Sequence, residues 1–119
     1  MIYTVGYGKD LGVEGLKVII EKHQIGILID LRSKPYSQWR SDVNRKALEK
    51  AIPQYQWRGD ILGGFSQIKE SDIDNLSIKG KTKNLLLMCA EKDYRKCHRE
   101  LIIASRFREI GCAYTHLER

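Results

Sequence analysis

Two short runs, Ile27 to Leu31 and Leu85 to Met88, are apolar at nearly every position. A strand that is half exposed alternates apolar and polar residues, so runs of this kind predict strands covered on both faces, as in a parallel sheet wrapped by helices. The neighbouring segments fit that frame. Ile2-Tyr3-Thr4-Val5 reads as a first strand ended by Gly6-Tyr7-Gly8. Asp10 is expected to cap a helix whose apolar face is Leu16, Ile19, Ile20 and His23, and Gly26 stops it. Strand, helix and strand in this spacing form a right-handed βαβ unit with parallel strands. Gly6 to Gly8 and Asp30 to Ser33 then lie at one edge of the sheet.

Further along, Val43, Ala47, Leu48, Ala51 and Ile52 follow helical spacing, and Pro53 marks the end of that helix. Tyr55-Gln56-Trp57 reads as a short strand, Leu62-Gly63-Gly64-Phe65 as a turn, and Glu70 to Ile78 as a brief helix. The strand Leu85 to Met88 follows the basic turn Lys79-Gly80-Lys81. A last helix from Cys97 to about Ile110 is expected to bury Leu101, Ile102, Ala104, Ser105 and Ile110, with Gly111 as its cap and Ala113 to His116 as a final strand. A chain of 119 residues suffices for one core and is short for two. The expected architecture is α/β: a small three-layer domain, residues 1–119, with a mainly parallel sheet of four to five strands and helices on both faces.

No apolar stretch approaches the roughly 20 residues needed to cross a bilayer, and the first residues lack the pattern of a signal peptide. A cytoplasmic protein without a membrane partner is expected; nothing sets its oligomeric state. Three cysteines, Cys89, Cys97 and Cys112, are too few and too odd for a disulfide framework, so reduced thiols are the default, with a Cys89–Cys97 bond left open. The formal net charge of +6 suits an anionic partner. Between Arg32 and Arg58 stand Lys34, Arg40, Arg45, Lys46 and Lys50, interleaved with Tyr36, Trp39, Tyr55 and Trp57 and opposed only by Asp42 and Glu49. That mixture suits a phosphate-bearing ligand or nucleic acid, and equally a solvated surface around aromatic anchors.

Chemistry is concentrated where the Leu85 run stops in Cys89-Ala90-Glu91-Lys92-Asp93-Tyr94-Arg95-Lys96-Cys97-His98-Arg99. In open α/β sheets ligands bind at such strand-to-helix exits, and three exits converge here: Gly6-Tyr7-Gly8, Asp30-Leu31-Arg32-Ser33, and Cys89 through Arg99. Gly6 and Gly8 allow close backbone approach, but a Gly-x-Gly without a third glycine is no dinucleotide fingerprint, so no cofactor is expected. Gly6, Tyr7, Arg32, Ser33 and Arg99 are candidate ligand-binding residues; the alternative for Arg32 is a salt bridge to Asp30 or Glu91. His98 is the candidate proton carrier, with Glu91 or Asp30 as base or orienting carboxylate. Cys97, at a helix start, and Cys89 are candidate nucleophilic or redox thiols.

Two other readings stay open. Cys89 and Arg95 have the Cys-x5-Arg spacing of rhodanese-like and phosphatase loops, although the intervening residues hold no glycine and two carboxylates. Cys89, Glu91, Cys97 and His98 are eligible zinc ligands in a structural metal site, although no Cys-x2-Cys or His-x3-His pair is present and no metal is therefore expected.

Thr4-Val5-Gly6-Tyr7, Asp30-Leu31-Arg32-Ser33 with Pro35, Leu62-Gly63-Gly64, and Cys89-Ala90-Glu91 with Cys97-His98-Arg99 together resemble the domain of unknown function 488 family. The resemblance covers nearly the whole chain. It implies family-typical positions at Gly6, Tyr7, Asp30, Arg32, Pro35, Gly63, Gly64, Cys89, Glu91, Cys97, His98 and Arg99, and no particular reaction.

Overall fold

The computed structural model describes residues 1–38 and 40–118; Trp39, one of the proposed stacking aromatics, lies outside them. Five strands, β1 (Ile2–Gly6), β2 (Ile27–Asp30), β3 (Tyr55–Trp57), β4 (Leu85–Cys89) and β5 (Tyr114–His116), form one sheet in the order β3-β2-β4-β1-β5. Every pairing is parallel. This is the expected three-layer α/β architecture. Its apolar strands are buried because alternate side chains enter different cores: Ile27, Ile29, Leu85 and Leu87 one, Leu28, Leu86 and Met88 the other.

Helices α1 (Val13–Lys22) and α2 (Arg45–Ala51) cover the second core through Leu16, Ile20 and Leu48. Helices α3 (Gly59–Leu62) and α4 (Glu70–Gly80) cover the first through Leu62, Ile73 and Leu76. A π-helical segment, Arg99–Ala104, leads into α5 (Ser105–Glu109), which packs Ile103 and Phe107 on that same first face. The chain thus leaves β1 and β2 toward one face and leaves their shared neighbour β4 toward the other. Such a divergence opens a crevice at the carboxyl ends of adjacent strands.

Three expectations are corrected. Asp10 does not cap α1; Gly12 occupies that place, Asp42 Oδ2 accepts from the Val13 amide at 3.0 Å, and Asp10 pairs instead with Lys92. The 59–62 helix falls where no helix was expected. The last helix buries Ile103, Ala104 and Phe107, whereas Leu101 is 63 % exposed and Ile102 and Ile110 are exposed as well. The wide π-helical turn changes the angular phase of the segment. The buried stripe Arg99, Ile103, Phe107 also begins with a charge, which conceals it from an apolar pattern.

Candidate functional site

The parallel register sets Gly6 beside Cys89 and Asp30 beside Met88, so the three strand exits emerge together. Between them lies a crevice of about 360 Å³ lined by residues that include Tyr7, Arg32, Ser33, Cys89, Glu91, Cys97 and His98. Gly6 makes this approach possible. A Cβ there would sit 1.8 Å from the Glu91 carbonyl oxygen, so any side chain would push the β4 exit away from β1. Gly63 does the same for the third wall, since its Cβ would meet Ser33 Oγ at 2.1 Å. Ser33 Oγ accepts from the Phe65 amide at 3.1 Å and fixes that loop.

Asp30 and Arg32 form a buried pair, with Arg32 only 5 % exposed. Arg32 Nε donates to Asp30 Oδ1 at 2.8 Å and Nη2 to Oδ2 at 2.7 Å; Nη2 also donates to the Val43 carbonyl at 2.8 Å, and Nη1 to the Tyr7 hydroxyl at 3.3 Å. The Tyr55 hydroxyl adds a bond to Asp30 Oδ2 at 2.5 Å. Burial works against the Arg32 charge, but the bonds to Asp30 outweigh it and the guanidinium stays fully protonated. Burial and the Asp30 carboxylate hold the Tyr55 hydroxyl protonated. Of the alternatives for Arg32, the salt bridge to Asp30 is the one formed. Its face remains on the crevice, while Asp30 does not line it.

Arg99 is 1 % exposed and has a different set of partners. Its Nε donates to Thr4 Oγ1 at 3.2 Å, Nη1 to Cys89 Sγ at 2.8 Å and to the Glu91 carbonyl at 2.7 Å, and Nη2 to the Lys92 carbonyl at 3.3 Å. Among the described residues, no carboxylate forms an ion pair with it. The Glu91 carboxylate turns to the rim, where Oε1 accepts from the Asp93 amide at 3.0 Å. The nearest group able to carry a compensating charge is the thiol pair, Cys89 Sγ and Cys97 Sγ, 2.9 Å apart and unbonded. A buried cation without a counter-ion is expensive, so this arrangement favours one thiolate shared across the two sulfurs.

The environment divides the pair. The hydrogen bond from Cys89, with help from His98 and the Arg99 amide, pulls the Cys97 thiol down to about 4. The same sulfur–sulfur hydrogen bond and burial push Cys89 up, against the pull of the Arg99 guanidinium. His98 Nδ1 lies 3.6 Å from Cys97 Sγ, and His98 Nε2 is a buried nitrogen without a hydrogen-bond partner. The imidazole therefore meets the sulfur through Nδ1 and keeps its second ring nitrogen unpaired among the described residues.

Thr4, His116 and Phe65 were not anticipated from sequence as site residues. Thr4 Oγ1 pairs with His116 Nδ1 at 2.5 Å, and His116 Nε2 meets Glu100 Oε2 at 2.9 Å, so Arg99 is held by a chain that reaches the surface. Tyr94 stacks on His116 with ring centroids 4.2 Å apart. Lys34, Tyr36, Phe65 and Lys96 complete the crevice rim, Phe65 being 87 % exposed with the Lys34 ammonium 6.0 Å from its ring centre. An exposed aromatic directly after Gly63-Gly64 was the available signal.

The alternative constellations come apart. Arg95 is bound to Asp93 at 3.0 Å, so the guanidinium at Cys89 belongs to Arg99. Among the described residues no group of three or more His, Cys, Asp or Glu is arranged to hold a metal. Two zinc thiolates at tetrahedral angles would stand roughly 3.8 Å apart. Much of the basic run is also committed. Arg40 pairs with Asp42, Arg45 pairs with Glu49 and lies over Trp57, Tyr55 is in the core, and Trp57 Nε1 donates to the Arg32 carbonyl.

Fold and site together define a small all-parallel α/β protein with a paired-thiol crevice at the switch point of its sheet. No family model matches this chain, and no curated protein and no solved structure does so either. No helix among the described residues is long and apolar enough to cross a membrane.

Proposed function

We propose that the crevice is the active site of a thiol-dependent enzyme that takes a small anionic substrate, with the Cys97 thiolate as nucleophile. One observation carries this reading: among the described residues no carboxylate pairs with the buried Arg99, which donates instead to Cys89 Sγ, 2.9 Å from Cys97 Sγ. A carboxylate partner would make an inert structural pair, whereas a sulfur anion at the wall of a crevice is a nucleophile. His98 beside Cys97 is placed to deliver a proton to a leaving group. Lys34 and Lys96 on the rim supply charge for the substrate, for which phosphate-bearing ligands are the natural class. The pairing of Arg40 and Arg45 within the protein favours a ligand small enough to enter the crevice over a long nucleic acid. Cys89, Cys97, His98 and Arg99 are also the positions that carry the resemblance to the domain of unknown function 488 family.

The test is the rate of alkylation by iodoacetamide at about pH 6, in a Cys112→Ser background, with and without inorganic phosphate. Fast labelling that is lost in Cys97→Ser and slowed by phosphate supports the proposal. Labelling that follows an ordinary thiol, with a midpoint near 8.5, contradicts it.

A further inference from the structure

We propose, building on the reading of Cys97 as a thiolate, that Cys89 is its resolving thiol and that the crevice performs thiol–disulfide exchange with small anionic disulfides. The two sulfurs stand 2.9 Å apart without a bond and both line the crevice. A disulfide is roughly 2.05 Å long, so closing one asks less than 1 Å of movement. Each sulfur also has its own donors: His98 and the Arg99 amide at Cys97, and the Arg99 guanidinium at Cys89. An exchange reaction needs this division, because the negative charge starts on the attacking sulfur and must then reside on the resolving one.

The Cys97 thiolate attacks one sulfur of the substrate R–S–S–R; a bond forms between Cys97 Sγ and SR, the substrate S–S bond breaks, and RS⁻ departs. His98, beside Cys97, protonates that thiolate and is reprotonated from solvent, while Cys89 gives its own proton to solvent, leaving Cys89 as the anion beside Arg99. Cys89 then attacks Cys97 Sγ, forming the Cys89–Cys97 disulfide and expelling the second RS⁻, which solvent protonates. Two electrons pass from the cysteine pair to the substrate, and a dithiol reductant restores the pair. Restoration is favoured, since the disulfide leaves the buried Arg99 without a sulfur anion in the adjoining pair. Tyr36 and Phe65 on the rim suit the apolar body of a disulfide, and Lys34 and Lys96 its carboxylates. Cys112 stands apart, its thiol donating to the Ala113 carbonyl.

The experiment adds the anionic aryl disulfide dithiobis(nitrobenzoate) to the Cys112→Ser protein at about pH 6, following released aryl thiolate and intact mass. The expected result is release of about two equivalents, no aryl adduct, and the mass of an internal disulfide that dithiothreitol reverses. Cys89→Ser, or Cys89→Ala should that variant fold poorly, is expected to release about one equivalent and keep the aryl group on Cys97. A parent protein that retains aryl adducts overturns the resolving role while leaving Cys97 a nucleophile. Release no faster than from an ordinary free thiol overturns the thiolate reading beneath it.

Discussion

The molecule contains two buried arginines at neighbouring strand exits, and they differ in what neutralises them. Arg32 is gripped through two nitrogens by Asp30, with Tyr55 and Tyr7 completing the network. Arg99 is held by carbonyl oxygens, the Thr4 hydroxyl and a thiol. The same side chain therefore serves two ends. Beside a carboxylate it closes a charge pair that fastens β2 to the loop before α2; beside sulfur it leaves a counter-ion that is also a reagent. Reactivity on this fold follows from the partner rather than from the arginine.

The comparison breaks most visibly at Asp30. Removing one partner of a buried pair strands the other, so Asp30→Asn is expected to lower unfolding free energy by about 3–5 kcal/mol in urea melts. Its thiols should label as before in whatever fraction stays folded. A loss below about 1 kcal/mol would mean that water reaches Arg32 and that the pair is not the anchor described.

Arg99→Met is the matched experiment at the other exit. It removes the cation beside the sulfur pair, so the pH midpoint of labelling should rise from about 4 by at least about one unit, a tenfold fall in the thiolate-to-thiol ratio below that midpoint. Unchanged labelling would assign the thiolate to the Cys89 hydrogen bond, His98 and the backbone amide of residue 99, without the guanidinium.

The pH dependence of stability sharpens the same contrast. Cys97 is held to about 4 in the folded protein by the Cys89 hydrogen bond, whereas an unfolded cysteine titrates near 8.5. Between those values the unfolded chain binds more protons, so this stabilisation is lost as pH falls toward 4 and gained as it rises toward 8.5. The slope should not exceed about 1.4 kcal/mol per pH unit, and it should vanish in Cys97→Ser. Above that range the sign reverses, since Cys89 is pushed up and keeps its proton longer than the unfolded chain does. A slope shared by parent and variant would place its origin elsewhere.

Smaller effects follow at the edges of the site. Thr4→Val deletes the hydroxyl between Arg99 and His116, and a loss of about 1–3 kcal/mol with slower labelling is expected. Arg95→Ala, at the exposed arginine of the Cys-x5-Arg spacing, should leave both labelling and melting unchanged. Slower labelling there would revive the loop reading centred on Cys89 and Arg95.

What the sequence disclosed is mainly what apolar pattern encodes. Ile27 to Leu31 and Leu85 to Met88 declared the buried parallel strands, and the strand positions placed Tyr7, Ser33 and Cys97 at one edge. Partner choice was harder to read. Arg32 and Asp30 are two residues apart, so their pairing was at least among the alternatives, whereas Thr4 meets Arg99 and His116 across nearly the whole chain. No local spacing encodes contacts of that range. The last helix shows a second limit, because a π-helical turn and a leading arginine shift its buried stripe off the pattern of its leucine and isoleucines. The sulfur pair was legible as two candidate thiols eight residues apart with a bond between them left open, but not its contact with Arg99.

The central claim is that the Cys89–Cys97 pair carries one negative charge that neutralises Arg99. Ultraviolet thiolate absorbance of the Cys112→Ser protein, titrated from acid to alkaline pH, measures that charge directly. The account predicts about one thiolate per chain already present at about pH 6, absent in Cys97→Ser and reduced in Arg99→Met. Absorbance that rises only near 8.5, in the parent as in the variants, would contradict it.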